Sequence, residues 1–442
     1  MPTTLRFRHG VHPPDLKALT EAVPIRRMPF PSEVVLPLRQ HAGKPAKLIA
    51  RVGDKVERGD KLAEADGYVS VPVHASATGE VTETGLVPHP DGGYEPGVRI
   101  ALDPWSPQAQ RPRMVPEWEG LSPKEIVAAV QDAGVVGLGG AAFPTHVKLS
   151  PPEDKPLDVV VLNGCECEPY LTTDHRTMAE YPERVLMGLR IMMRCLGVDR
   201  AMIGIERNKP DAIDAIRAAL PPDLDVSVHP LTVKYPQGAE KMLIESLLDK
   251  EVPSGGLPLD VGVLVQNVAS AATIAEVFET GLPLVERIVT VTGRGVAQPA
   301  NLIVPVGTKL SDLFEACGGL TDEACEVVLG GPMMGSAAAN LDAPVLKGTT
   351  GVVVLTEQEC RQHQVYPCIR CGRCLDSCPV YLDPQRLGAL ANSGRHEEMR
   401  DEHHLNDCML CGCCSYSCPS NIPLSQLFKV SRDALRRTQV PA

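Results

Sequence analysis

Hydrophobic positions change their rhythm along this chain. Between residues 36 and 103 the apolar stretches are short, as at 47–52 and 68–73, and turn dipeptides interrupt them: Gly53-Asp54, Gly59-Asp60, Asp66-Gly67 and Thr78-Gly79. That punctuation predicts a unit built of β-strands alone. A Pro-rich linker follows over 104–120. Ser122-Pro123-Lys124-Glu125 then supplies an N-cap, a proline at the first helical position and an acid at the third, which predicts a helix to about residue 133. From there strands and helices alternate. Strands are expected at 158–162, 201–205, 226–229 and 261–265, and helices at 182–196, 210–220 and onward from Glu240. Such alternation predicts an α/β unit on a parallel sheet. Strands at 287–292 and 301–305 with a helix at 309–317 mark a further β-rich module, and a helix is expected at 387–399. Residues 1–35 have no period and read as an arm lying on another surface; His12-Pro13-Pro14 is extended there.

Length and charge narrow the field. A chain of 442 residues suggests two to four domains. Its net charge of −12 disfavours nucleic acid, whose phosphates require patches of Lys and Arg. No run of 18 apolar residues is present to span a bilayer, and the first residues lack the apolar core of an export signal.

The cysteines carry the sharpest chemistry. Cys368, Cys371, Cys374 and Cys378-Pro379 form one C-x2-C-x2-C-x3-C-P run, and Cys408, Cys411, Cys414 and Cys418-Pro419 form a second. This spacing holds [4Fe–4S] clusters, with the fourth thiolate of each run reaching the other cube. Cys368, Cys371, Cys374 and Cys418 are therefore assigned to one cluster, and Cys408, Cys411, Cys414 and Cys378 to the other. Zinc is the alternative for such pairs, though two complete runs ending in Cys-Pro favour iron. A disulfide framework is disfavoured without a signal peptide. Cys413 reads as a bystander beside the ligands. His403-His404 reads as surface.

A second candidate site precedes them. Gly137, Gly139 and Gly140 lie in one loop with Lys148 shortly after, a combination suited to a phosphate. The strand at 158–162 ends at Asn163-Gly-Cys165-Glu166-Cys167-Glu168-Pro169, and the strand at 261–265 delivers Gln266-Asn267 to the same expected edge. Carboxyl ends of strands are where α/β sheets bind ligands. Glu166, Glu168 and Asn163 could hydrogen-bond ribose hydroxyls, amides or a flavin edge; a solvated loop is the alternative for both glutamates. Cys165 and Cys167 read as small packed thiols, with a metal site the weaker alternative.

The segment 51–62, Arg-Val-Gly-Asp-Lys-Val-Glu-Arg-Gly-Asp-Lys-Leu, resembles biotinyl/lipoyl-type hybrid barrels. Its expected hairpin turn, Ala65-Asp66-Gly67, has no Lys to modify, so a docking barrel is expected. Together with Gly137-Leu-Gly-Gly-Ala-Ala-Phe-Pro144, the segment 163–169 and the two cysteine runs, the chain resembles the RnfC family, a component of the Rnf electron-transport complex. Its flavin loop is also similar to the FMN/NADH-binding subunit of respiratory complex I.

The resemblance implies a multidomain α/β plus β fold. An arm (1–35) is followed by an N-terminal hybrid barrel (36–103), an α/β flavin/nucleotide domain (121–285), a β-grasp, SLBB-like module (286–345) and a C-terminal α-helical, two-cluster ferredoxin-like domain (360–435). It implies FMN under the Gly137–Gly140 loop with Lys148, Asn163, Glu166, Glu240 and Asn267 nearby, and Glu168 toward the nicotinamide of NAD(H). It implies hydride exchange between NAD(H) and FMN, then one-electron transfer through two [4Fe–4S] clusters, with no acid or base catalyst. The expected partners are other members of the Rnf complex, among them integral membrane proteins and an Fe–S protein, met at the cytoplasmic side of the inner membrane. Ala142, Cys165 and Ala239 depart from the families' usual Gly, acidic residue and Glu. Two alternatives stay open: a microcompartment-type cobalamin reductase, and a non-catalytic Fe–S relay with a vestigial flavin pocket.

Overall fold

The computed structural model describes residues 6–109, 117–361 and 363–439. Residues 1–5 of the arm and 110–116 of the linker fall outside them. Four parallel strands form the central sheet, in the spatial order Val226–Leu231, Ala201–Glu206, Val159–Gly164 and Val263–Asn267. Val160 and Leu162 pack into one core with the helices Pro182–Leu196 and Val268–Thr280, while Val159 and Val161 pack into another with Glu240–Leu248. Burial on both faces is why these strands read as unbroken apolar runs. Each fully buried Val or Leu contributes about 1.5–3 kcal/mol.

The first helix starts where its cap predicts. Ser122 Oγ accepts from the Glu125 amide at 3.4 Å, and Glu125 Oε2 accepts from the Ser122 amide at 2.8 Å. Such reciprocal capping is worth about 1 kcal/mol. The helix Thr173–Glu180 was not foreseen. Its only large apolar residue is Met178, so no hydrophobic period announces it.

The amino-terminal β unit closes two sheets around Val34, Leu36, Leu62, Val81, Val98 and Ile100. Its longest strands, Gly79–Pro88 and Tyr94–Leu102, form one antiparallel hairpin. Gly79, expected in a turn, is thus the first residue of a strand. Of the run at 68–73 only Val73 is in a strand, Val73–His74.

A six-stranded mixed sheet follows, in the order Ile25–Arg27, Ala300–Pro305, Glu286–Thr292, Gly351–Thr356, Ala324–Leu329 and Ser336–Ala337. Ile25–Arg27 comes from the expected arm and pairs parallel with Asn301–Ile303. The cysteine-rich region is helical, and here one expectation needs correction. The single helix expected at 387–399 is two, Pro384–Asn392 and His396–Asp401. Gly394 between them takes φ +68°, which ends the first helix and turns the chain.

Among the described residues no helix is long and apolar enough to cross a membrane.

Candidate functional site

Asn163 and Asn267 stand opposite one another at the carboxyl edge of the parallel sheet. Each is fixed by its own backbone surroundings. Asn163 donates to the Gly238 carbonyl at 2.7 Å and accepts from the Cys165 amide. Asn267 caps the helix Val268–Thr280 by accepting from the Ala269 and Ser270 amides, and donates to Asp174 at 2.7 Å. The glycine loop lies directly on Asn267. A Cβ on Gly139 would sit 3.3 Å from its Nδ2, whereas one on Gly140 would meet nothing nearer than Thr350 at 3.9 Å. The Gly140 side of the loop is therefore open to a ligand. Leu138 N donates to Ser270 Oγ and Gly137 N to the Phe143 carbonyl, which hold the loop in place.

The remaining sequence candidates divide. Lys148 reaches the sheet edge, pairing with Glu240 at 2.5 Å and donating to the Val265 carbonyl at 3.0 Å. Glu166 caps the unforeseen helix by accepting from the Asp174 and His175 amides. Glu168 turns toward a different neighbour: its carboxylate accepts from the Met333 and Met334 amides at 3.1 and 2.9 Å. Burial pushes its carboxyl up to about 7, against the pull of those two amides. The edge thus presents main-chain amides, two side-chain amides, carboxylates and one ammonium around an open glycine loop. That donor set fits a planar, phosphate-bearing ligand such as FMN.

Ala142 bears on one departure from the family pattern. Its φ is +48°, a left-handed conformation where an L side chain is strained.

Several buried charges went unread in the sequence. Arg287 donates to the Lys347 carbonyl at 2.5 Å and to the Leu138 carbonyl of the glycine loop at 3.4 Å; burial lowers its pKa to about 10. Asp174 is pushed upward by burial and by Glu166. Lys17 donates to the Glu168 and Leu171 carbonyls, and Lys209 donates to the Cys165 carbonyl. The partners of Arg287 and Lys17 lie far away in sequence, where no local pattern could signal them.

Beyond Glu168 the sheet edge meets the cysteine-rich region. Val11, Tyr235, Cys411 and Cys413 form one buried cluster, joined by Cys167, Met333 and Met409. Tyr235 donates its hydroxyl to the Cys411 carbonyl at 2.9 Å, and Cys167 Sγ accepts from the Gly238 amide at 3.3 Å. Cys413, expected to be a bystander, is completely buried in this contact.

Cys378, Cys408, Cys411 and Cys414 line a single cavity. In each run the second residue after the first cysteine donates its amide back to that sulfur: Arg370 to Cys368, and Leu410 to Cys408, both at 3.4 Å. Arg370 and Leu410 have φ of 55° and 56°, and Gly372 and Gly412 have 78° and 79°, so the two loops share one backbone form. Burial raises the pKa of the Cys374 thiol, and the nearby Cys418 adds to that rise. Amides aimed at sulfur and thiols grouped across the two runs fit thiolate-held clusters.

Family models match in chain order: the RnfC barrel sandwich hybrid domain over residues 5–104, the Nuo51 FMN-binding domain over 130–276, the SLBB domain over 288–337 and the 4Fe-4S dicluster domain over 364–422. The chain is 44% identical to the C subunit of the proton-translocating ferredoxin:NAD(+) oxidoreductase complex of Clostridium ljungdahlii, covering 90% of this chain and 86% of that one. It is 43% identical to the Na(+)-translocating counterpart of Acetobacterium woodii, covering 86% of each. It is 42% identical to the C subunit of the ion-translocating oxidoreductase complex of Rhodobacter capsulatus, covering 98% and 84%. Among solved structures, a chain of an NAD+-reducing [NiFe]-hydrogenase shares the fold, with a TM-score of 0.53 at 21% identity over 74% of this chain and 69% of that one.

Proposed function

The chain belongs to the RnfC family of ion-translocating ferredoxin:NAD(+) oxidoreductase complexes, and from that membership we propose that it exchanges hydride equivalents between NAD(H) and FMN and hands electrons on singly, through two [4Fe–4S] clusters, to the other members of the complex. FMN, when bound, supplies the junction between two-electron and one-electron chemistry.

The chain's own residues hold and orient. The open side of the Gly137–Gly140 loop admits the flavin, Asn163 and Asn267 brace that loop and the sheet edge, and Lys148 offers its ammonium beside Glu240. Glu166 fixes the wall formed by the helix Thr173–Glu180. Glu168 faces the nicotinamide side and is itself anchored by the Met333 and Met334 amides. Cys408, Cys411, Cys414 and Cys378 hold one cluster; Cys368, Cys371, Cys374 and Cys418 hold the other. The protein sits peripherally at the cytoplasmic face, against integral membrane partners and an Fe–S partner. Ion movement belongs to those partners.

One observation carries this reading: the buried contact of Tyr235, Cys167 and Met333 with Cys411 joins the sheet edge to the second thiol cavity through packed side chains. The barrel ahead of the glycine loop argues against the cobalamin-reductase alternative.

The test is anaerobic reconstitution of the full chain with iron and sulfide. About eight iron atoms, bound FMN and NADH-driven bleaching are expected. Eight iron atoms without flavin would favour a bare relay instead, and preferential reduction of cob(III)alamin would revive the reductase alternative.

A further inference from the structure

The two cysteine loops are backbone twins in opposite surroundings. In the second loop a Cβ on Gly412 would meet the Met333 carbonyl at 2.9 Å, Cys411 is 8% exposed and Cys413 is fully buried. Ser254 and Gly255 of the flavin-type domain also bond the neighbouring Asp407. In the first loop the matching Gly372 has nothing within 4 Å, Cys368 and Cys371 are exposed, and Ile369 is 68% exposed. Tyr366 beside it is half exposed. One loop is covered by the chain's own sheet edge; its twin is bare.

The substitutions between the twins indicate what covers the bare one. Leu410 and Cys413 of the covered loop are replaced by Arg370 and Arg373. Both arginines are exposed, and among the described residues neither makes an ion pair. From Arg361 to Leu375 the chain carries three arginines and no carboxylate, in a protein of net charge −12; Asp376 lies one turn after Arg373 on the same short helix, Arg373–Ser377, and makes no ion pair with it among the described residues. An apolar centre ringed by unpaired guanidinium groups suits a partner with acidic groups around its own apolar contact.

We infer that the Tyr366–Arg373 face docks an acidic iron–sulfur protein, as the Met409–Cys413 face docks the chain's own flavin-type domain. The inference rests on the proposed function only in taking this face as the outer end of the electron path. Val365, Tyr366 and Ile369 give the contact its apolar centre, and Arg370 and Arg373 set its register and its salt dependence.

The test uses the full-length, anaerobically reconstituted chain and an oxidised, acidic two-cluster ferredoxin as probe, with binding measured by calorimetry over a salt series. Wild type binds at low salt and loses affinity as salt rises. Arg370→Glu with Arg373→Glu lowers affinity about tenfold or more and flattens the salt dependence, while Arg370→Lys with Arg373→Lys keeps it. Ile369→Ser weakens binding without changing the salt slope. Iron content and the EPR signals of both clusters serve as the folding control for every variant. Charge-reversed protein binding like wild type would overturn the inference. So would salt-sensitive, arginine-dependent binding to phosphatidylserine vesicles in place of ferredoxin, or arginine-dependent self-association in sedimentation. If NADH bleaches nothing while ferredoxin still binds through the arginines, the functional reading falls and the docking face stands.

Discussion

Tyr235 donates its phenolic hydrogen to the main-chain carbonyl of Cys411 across 2.9 Å, from within a fully packed contact. This is the one side-chain hydrogen bond from the flavin-type domain to a proposed cluster ligand among the described residues. Tyr235→Phe keeps the ring and removes the donor, leaving a buried carbonyl unpaired. A loss of about 1–3 kcal/mol is expected. The EPR signal of the cluster assigned to Cys408, Cys411, Cys414 and Cys378 should shift while the other stays unchanged. An equal shift in both would argue for a purely structural role.

The shared cavity makes the crossed ligand assignment testable. Cys378→Ala should cost the cluster of the second run and spare that of the first. Cys418→Ala should do the reverse. Iron counts falling from about eight toward four in each case, with opposite EPR signals surviving, are the expected result. Loss of the same cluster in both variants would contradict it.

Ala142 takes φ +48° in the loop that carries the glycines. An L residue there costs about 1–2 kcal/mol, and Gly would relieve it at about 0.5–1 kcal/mol in unfolded-chain entropy. Ala142→Gly should therefore melt at the same temperature or a few degrees higher and keep its flavin. Ala142→Val, with a branched side chain in the same conformation, should lose bound flavin and melt lower. Thermal scans with flavin absorbance read both effects.

Glu168 gives the protein a pH dependence of definite sign. Its folded carboxyl titrates at about 7, against an ordinary value of 4.5. The folded chain therefore keeps a proton that the unfolded chain has released. The contribution is complete below about 4.5 and is lost as pH rises through about 7. Glu168→Gln should lack this decline. Anaerobic melts from pH 5 to 7.5 should show the wild type losing several degrees relative to the variant over that window. Parallel curves would rule the proton out.

Local chemistry was legible in the chain; distant partnerships were not. The cysteine runs announced themselves because cluster ligands must lie within one loop's reach. Ser122 announced a helix because a cap is complete within four residues. The edge at Asn163 and Asn267 could be placed because each residue ends an apolar strand. By contrast, Arg287 reads as an ordinary strand residue until the Leu138 carbonyl, 149 positions away, is brought to it. Lys17 is likewise explained only by carbonyls more than 150 residues on. The break at Gly394 was missed because the apolar spacing continues across it, from Leu387 to Met399. Glu168 was expected to face a ligand or solvent; its bonds to Met333 and Met334 depend on a turn from another module.

Ile25–Arg27 finishes its sheet only beside Asn301–Ile303. During synthesis the earlier segment leaves the ribosome first and must wait for a partner made far downstream. At roughly 5–20 residues per second that delay is on the order of 15 to 55 seconds. Throughout it the three-residue strand stays unpaired. The nascent chain can therefore build its parallel sheet while Ile25–Arg27 is still undocked, and that seam joins early residues to ones made much later.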